Sequence, residues 1–217
     1  MLPGPTLIRE CPHCKGRFKE DTLTSGNTFG ARFWTDGKME ANMLPETDWL
    51  VTCPNCLAPV WIDSARKVGQ VDFYRETSDN YKGADLLEYG QTPSAEGYLI
   101  ALRDTPMPID KQAYIRFRLW RLWNDRRRHC TIEKAKSIPL KVYETANLEE
   151  LIKLLDETDL DKCVAKAEIN RELGRFDEAI NLLDWSNKDD DSGEIKYIRQ
   201  LAQDNDPYLR EFKHTSN

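Results

Sequence analysis

Two short motifs constrain this chain more than anything else in it: Cys11-Pro12-His13-Cys14 and Cys53-Pro54-Asn55-Cys56. Each sets two thiols three positions apart, and 38 residues lie between the pairs. Four thiolates in this pattern are the usual complement of a closed tetrahedral zinc site. Cys11, Cys14, Cys53 and Cys56 are therefore the expected metal ligands, with zinc as the ion. Its expected role is structural, because in such a site binding energy becomes folding energy. Proline after each leading cysteine fixes φ and helps the chain turn tightly around an ion. His13 reads as a variable residue of the motif, since four sulfurs already close the shell.

Over about the first 65 residues the arrangement resembles a zinc ribbon, in which two such knuckles draw together the ends of a small β-sheet. Many ribbon knuckles carry glycine directly after the second cysteine, where φ is positive. Here Lys15 and Leu57 stand at those positions, and Gly16 follows one residue later. The insert between the knuckles is long and reads as two strands, Thr28 to Trp34 and Lys38 to Asn42, around an Asp36-Gly37 turn. Val60-Trp61-Ile62 reads as a further short strand. Two other chemistries share these cysteines: iron in a rubredoxin-like site, and dithiol redox, because Cys-Pro-His-Cys also occurs in some thioredoxin-fold oxidoreductases. The redox chemistry needs its first thiol at a helix N-terminus. Lys15-Gly16-Arg17 is a poor helix continuation, and the second motif has no part in that scheme.

Of six cysteines only Cys130 and Cys163 fall outside the motifs. Four metal ligands and two spare thiols fit a reducing compartment better than a disulfide framework, so a cytoplasmic location is expected. No apolar run approaches the roughly 18 residues of a membrane helix, and the first ten residues lack the features of a secretory signal. The net charge of −6 conceals a basic middle. Residues 111–141 carry 10 basic and 2 acidic side chains between two acidic flanks, a pattern that internal docking can satisfy without nucleic acid.

Through the middle, the sequence predicts a strand at Val71 to Tyr74, a helix opening at Thr92-Pro93 and ending near Arg103, and a long helix capped by Asp110 from Lys111 to Arg128. On that long helix Ala113, Ile115, Phe117, Leu119, Trp120, Leu122 and Trp123 cover more than half the circumference. So wide an apolar arc predicts burial against two partners, the metal module and the C-terminal helices. Arg116 lies four residues before Trp120, within reach of stacking on the indole. Arg126, Arg127 and Arg128 read as last-turn cations that complement the helix dipole. Arginines interleaved with aromatics also fit a nucleic-acid surface, which is the alternative reading of this helix.

Beyond residue 142, a capping-box pattern at Asn147-Leu148-Glu149-Glu150 predicts one helix, and Thr158 to Asp161 opens a second that ends at Leu173-Gly174. A third starts near Phe176, an acidic linker covers Lys188 to Ser192, and a fourth runs from Glu194 to Gln203. Residues Ala167 to Leu183 resemble the turn region of a tetratricopeptide repeat, with Leu173, Gly174, Phe176, Ala179 and Leu183 at that family's packing positions. One repeat is present where a free-standing solenoid needs about three, so neighbouring helices are expected to complete the bundle. Such helical stacks commonly offer a groove to a protein partner.

The chain contains no phosphate-binding glycine loop, dinucleotide fingerprint or His-Glu-x-x-His motif. Its three histidines, His13, His129 and His214, are scattered. The expectation is an α+β protein in three segments: a β-rich zinc-ribbon-like module (1–66), a connecting region with the long Trp/Arg-rich helix (67–142) and a tetratricopeptide-like helical bundle (143–217). Taken whole, it resembles uncharacterised bacterial proteins that join these parts, a resemblance that implies no particular activity. The function expected is a non-catalytic, zinc-stabilised adaptor with a protein partner and no membrane. Nucleic-acid binding through ribbon and basic helix comes second, and a thiol- or zinc-dependent enzyme third.

Overall fold

The computed structural model describes residues 1–72, 81–103, 106–186 and 193–212. The expected Val71 to Tyr74 strand, the linker Lys188 to Ser192 and His214 lie wholly or partly outside these residues. In chain order the first strands are β1 (Leu2–Pro3), β2 (Thr6–Glu10), β3 (Arg17–Glu20), β4 (Leu23–Ser25), β5 (Arg32–Trp34) and β6 (Met39–Glu40). Next come β7 (Leu50–Thr52), β8 (Pro59–Trp61) and β9 (Arg66–Val71). The helices are α1 (Ala95–Ala101), α2 (Ile109–Asn124), α3 (Ile132–Lys136), α4 (Val142–Leu154), α5 (Leu160–Glu172), α6 (Phe176–Ser186) and α7 (Glu194–Gln203). A last strand, β10, spans Glu211–Phe212. The fold is thus α+β, with small antiparallel sheets early in the chain and helices later.

Contacts divide the chain into two units. Unit 1 comprises Met1–Gly30 and Ala41–Thr105, and unit 2 comprises Ala31–Glu40 and Pro106–Asn217. The units are not consecutive segments, because the β5–β6 hairpin pairs with β10 from the far end of the chain. The Asp36-Gly37 turn forms as its sequence predicts, with Gly37 at φ +69°.

In unit 1, β2 is the centre of an antiparallel sheet ordered β3-β2-β9. Its alternation buries Thr6 and Ile8 on one side, and a bulge lies opposite Ile8 and Arg9 in β9. Gly69 in β9 is required by proximity: a Cβ there would meet the Tyr81 ring at 2.5 Å. β7 and β8 form a second hairpin, with Val51 opposite Val60. Residues 88–91 stitch the hairpins together. Lys19 N donates to Glu88 O and Gly90 N to Lys19 O, while Thr52 and Gln91 exchange a pair of backbone bonds.

In unit 2, α2 packs on α4, and α5, α6 and α7 pack successively. One apolar cluster gathers Trp120, Leu148, Leu151, Leu155 and Ile169, and another gathers Ala167, Leu183, Ile195 and Ile198. The α5–α6 turn closes as expected at Gly174, φ +76°, with Arg175 N bonded to Asn170 O and Gly174 N to Arg171 O. The same double bond ends α7, with Asn205 in the left-handed position.

Several helix starts differ from expectation, each for a local reason. Ser94 caps α1, accepting from Gly97 N, so Pro93 precedes the helix instead of opening it. α2 starts at Ile109, right after Pro108, which leaves Asp110 inside the first turn. Asp159, not Thr158, caps α5. α4 begins at Val142, where the Glu144 carboxylate accepts from Lys141 N at 3.2 Å. Asn147 is therefore mid-helix and buried, and it exchanges hydrogen bonds with Arg116: Nδ2 donates to Arg116 O, and Oδ1 accepts from Arg116 Nη1.

Candidate metal centre and buried polar cluster

Both Cys-Pro-x-Cys motifs are hairpin turns, the first joining β2 to β3 and the second joining β7 to β8. They are built alike. Lys15 N donates to Cys11 O at 3.0 Å, and Leu57 N donates to Cys53 O at 2.9 Å. Cys11 N reaches Gly16 O and Cys53 N reaches Ala58 O, both at 2.9 Å. Lys15 and Leu57 take φ of 61° and 60°, so the left-handed turn forms without glycine. Such a conformation costs an L-residue about 1–2 kcal/mol. Lys15 returns part of that by donating Nζ to Pro12 O at 3.0 Å.

Gly16 serves a different end. A Cβ on it would meet the Asn55 side chain at 2.7 Å. Asn55, from the second turn, lies across Gly16 and donates Nδ2 to Arg17 O at 3.1 Å. This interlock of the two turns escaped the sequence reading, which gave Asn55 no role and saw Gly16 only as a glycine one position late.

The four sulfurs converge. Cys11 and Cys56 Sγ are 3.9 Å apart, as are Cys14 and Cys53 Sγ, and all four lie within 4.8 Å of one another. A tetrahedron with metal–sulfur arms of about 2.3 Å has edges of about 3.8 Å. Two edges of the tetrad therefore match a metal shell and the others lie within an ångström of it, and all its cysteines are free thiols. Cys11 and Cys53 are buried against Phe18, Val51, Val60 and Ala65, while Cys14 and Cys56 face outward.

Crowding splits their acidities. Burial raises the Cys11 thiol. Burial also acts on Cys53, but the backbone N–H groups of Cys56 and Asn55 and the neighbouring thiols outweigh it and bring Cys53 down to about 7. Cys56 accepts a backbone bond from Ala58, yet burial and the other three sulfurs push it up to about 12. A divalent cation removes the repulsion that produces this split. The geometry a thioredoxin-like centre needs is missing, because Cys11 ends a strand and leads through a turn into another strand.

A second cluster lies wholly in unit 2. Arg128 Nη2 pairs with Asp36 Oδ2 at 2.6 Å, with both side chains 1% exposed or less. Arg127 Nη2 pairs with Glu144 at 2.8 Å, and Arg126 pairs with the same carboxylate. The arginine run is thus not a solvated helix end: α2 stops at Asn124, and Arg127 and Arg128 fold inward. On α5, Arg171 and Glu168 are fully buried and 2.5 Å apart. Arg171 also donates to Asp206 O, Tyr208 O and Thr35 Oγ1, tying the C-terminal segment to the β5–β6 turn. Glu172 accepts from Trp120 Nε1 at 3.0 Å and from Asn124 Nδ2 at 3.1 Å. Burial, then the charges of Glu168 and Asp36, raise its carboxyl to about 8.

Of the expected apolar arc on α2, Ile115, Leu119 and Trp120 are buried. Leu122 is 37% exposed, and Trp123 is half-buried, edge-on to Tyr143. The isolated cysteines are unremarkable: Cys163 is buried with its thiol raised by desolvation, and Cys130 bonds to Arg126 O. Among the described residues no helix is long and apolar enough to cross a membrane. No family model matches the chain, and neither the curated proteins nor the solved structures give a match.

Proposed function

We propose that Cys11, Cys14, Cys53 and Cys56 hold one structural zinc ion in a zinc-ribbon-like module, and that the protein is a non-catalytic adaptor whose tetratricopeptide-like helices engage a protein partner. One observation carries the metal assignment: two paired turns place four sulfurs 3.9–4.8 Å apart. Sulfur-only ligation in a closed shell leaves no open position for substrate, which favours a structural role over a catalytic one. Zinc suits four thiolates in a tetrahedron, as iron does, and metal analysis separates the two.

Support for the adaptor role comes from unit 2. Val142 is 88% exposed beside Tyr143, which is 49% exposed and stacks on Trp123, so an aromatic and aliphatic patch sits at the start of α4. Nucleic-acid binding is the weaker reading, since Arg126, Arg127 and Arg128 are committed to Glu144 and Asp36.

Elemental analysis of the purified chain tests the metal: about one zinc per chain is expected. Metal-free protein with Cys11 and Cys14 oxidised to a disulfide would instead support the redox alternative. For the partner, a photo-crosslinker in place of the exposed Tyr143 should capture a protein, and Val142→Asp in the same chain should abolish capture. Generic RNA or DNA binding with a steep salt dependence would favour the nucleic-acid reading.

A further inference from the structure

Unit 2 contains a cavity of about 220 Å³. Asn124, Arg127 and Glu172, all nearly inaccessible, form its inner end. Ile138, Leu140, Pro207, Tyr208 and Leu209 line its sides, and the exposed Lys136 and Pro139 stand at its rim. Mostly apolar walls with a few convergent polar groups are the usual composition of a small-molecule site.

The charges around it are unbalanced. Arg127 is neutralised by Glu144 and held by the carbonyls of Ile138 and Pro139. Among the described residues Lys136 makes no direct ion pair, although Glu133 lies close enough on α3 to feel its charge, and its ammonium lies 5.8 Å from the centroid of the Tyr208 ring. The lining contains a single carboxyl group, Glu172. Its hydrogen bonds come from neutral donors, Trp120 and Asn124. The charged groups around it are Glu168 and Arg171 from its own helix, Asp36 from the β5–β6 turn (paired with Arg128), Arg127 after α2, and Lys136 of α3.

We propose that this cavity binds a small organic monoanion, a carboxylate with an apolar or aromatic body. The body packs against Tyr208, Leu209 and Leu140, the anionic group meets the Lys136 ammonium at the rim, and the Glu172 carboxyl group at the inner end adds no opposing charge. With its acidity displaced to about 8, Glu172 keeps its proton near neutral pH and so adds no negative charge where an ionised carboxylate would repel the ligand. The site is separate from the sulfur tetrad, which belongs to unit 1.

Benzoate, its uncharged match benzamide, and inorganic phosphate serve as probes of the full-length chain, followed through the backbone amides of Ile138, Leu140 and Leu209 by NMR. Near neutral pH, benzoate should give saturable shifts at these amides. Benzamide should bind roughly tenfold more weakly, the scale of one charge-assisted hydrogen bond, and phosphate, with no apolar body, should not saturate. Lys136→Ala, at an exposed position that does not threaten folding, should reduce benzoate to the affinity of benzamide. Raising the pH through about 8 should weaken benzoate in the parent chain and leave the Glu172→Gln variant unchanged. Absence of saturable benzoate shifts at these amides, equal affinity for benzamide, or indifference to Lys136→Ala would overturn the proposal. So would a pH response shared by the Glu172→Gln variant.

Discussion

Around the sulfur tetrad of unit 1, the apolar cluster consists of Phe18, Val51, Val60 and Ala65 together with two of the cysteines themselves. Unit 2 joins two helical clusters and adds a set of buried ion pairs, Asp36–Arg128, Glu144–Arg127 and Glu168–Arg171. A β-rich module of short strands has too little apolar surface to hold two tight turns against chain entropy, and four clustered thiols lose their reason to converge without a cation. Helices bury more side chain per residue and tolerate charges inside, provided every charge is paired. The same chain thus sets a four-sulfur cluster that could hold a metal ion in one unit against packing plus paired charge in the other.

The largest effect should come from breaking the tetrad. Cys53→Ser, or removal of metal by a chelator, should unfold the sheet and turns of unit 1, because structural zinc contributes on the order of 10 kcal/mol to such modules. The helical circular-dichroism signal of unit 2 should persist. Simultaneous loss of that signal would mean that the two units do not hold independently. Acid should mimic the chelator, since protons displace the ion from thiolates.

In unit 2 the equivalent break is Arg171→Ala. It leaves Glu168 buried without its partner and frees the backbone at Asp206 and Tyr208, at a cost of about 3–5 kcal/mol. Trp120→Ala should cost a similar amount by emptying an aromatic site and removing a donor to Glu172. Either variant should lower the melting of the helical unit while zinc content stays unchanged. A fall in bound zinc would erase the distinction.

A subtler contrast lies in pH. The Glu172 carboxyl is raised in the folded state, from about 4.5 to about 8, so the folded chain binds more protons across that window. Its stabilising contribution is complete below the unfolded value and is lost as pH rises towards about 8. Unit 2 should therefore lose on the order of a few kcal/mol between these limits. Glu172→Gln should flatten the dependence, as read from denaturant midpoints across pH. An unchanged slope would place the titration elsewhere.

The smallest effect concerns turn geometry. Lys15→Gly or Leu57→Gly relieves a positive φ at the cost of a freer unfolded chain, for a net gain of no more than about 1 kcal/mol in unit 1. Gly16→Ala should act the other way by driving Asn55 off Arg17 O. Zinc affinity measured against a competing chelator reads both. A gain from Gly16→Ala would show that the interlock does not support the site.

Spacing made the cysteine tetrad legible, because two residues between thiols leave few ways to share an ion. Gly174 marked the α5–α6 turn for a similar reason, since a left-handed position favours glycine. The start of α4 was misplaced because Asn147 and Glu150 satisfy a cap pattern that Glu144 satisfies earlier, with Pro139 upstream. Asp36 read only as a turn residue, and Glu168, Arg171 and Glu172 drew no expectation, because charge normally marks solvent.

Sequence by itself determined the four-cysteine set, the left-handed turn after α5 and the α+β order of elements, all properties of short spacing and local backbone chemistry. Only the tertiary structure decided that β5 and β6 belong with β10, that Asn55 seats on Gly16, and that the arginine run turns inward to Asp36 and Glu144. Those outcomes depend on which distant residues meet. A buried charge is stable only where its partner arrives, and no local pattern records the arrival.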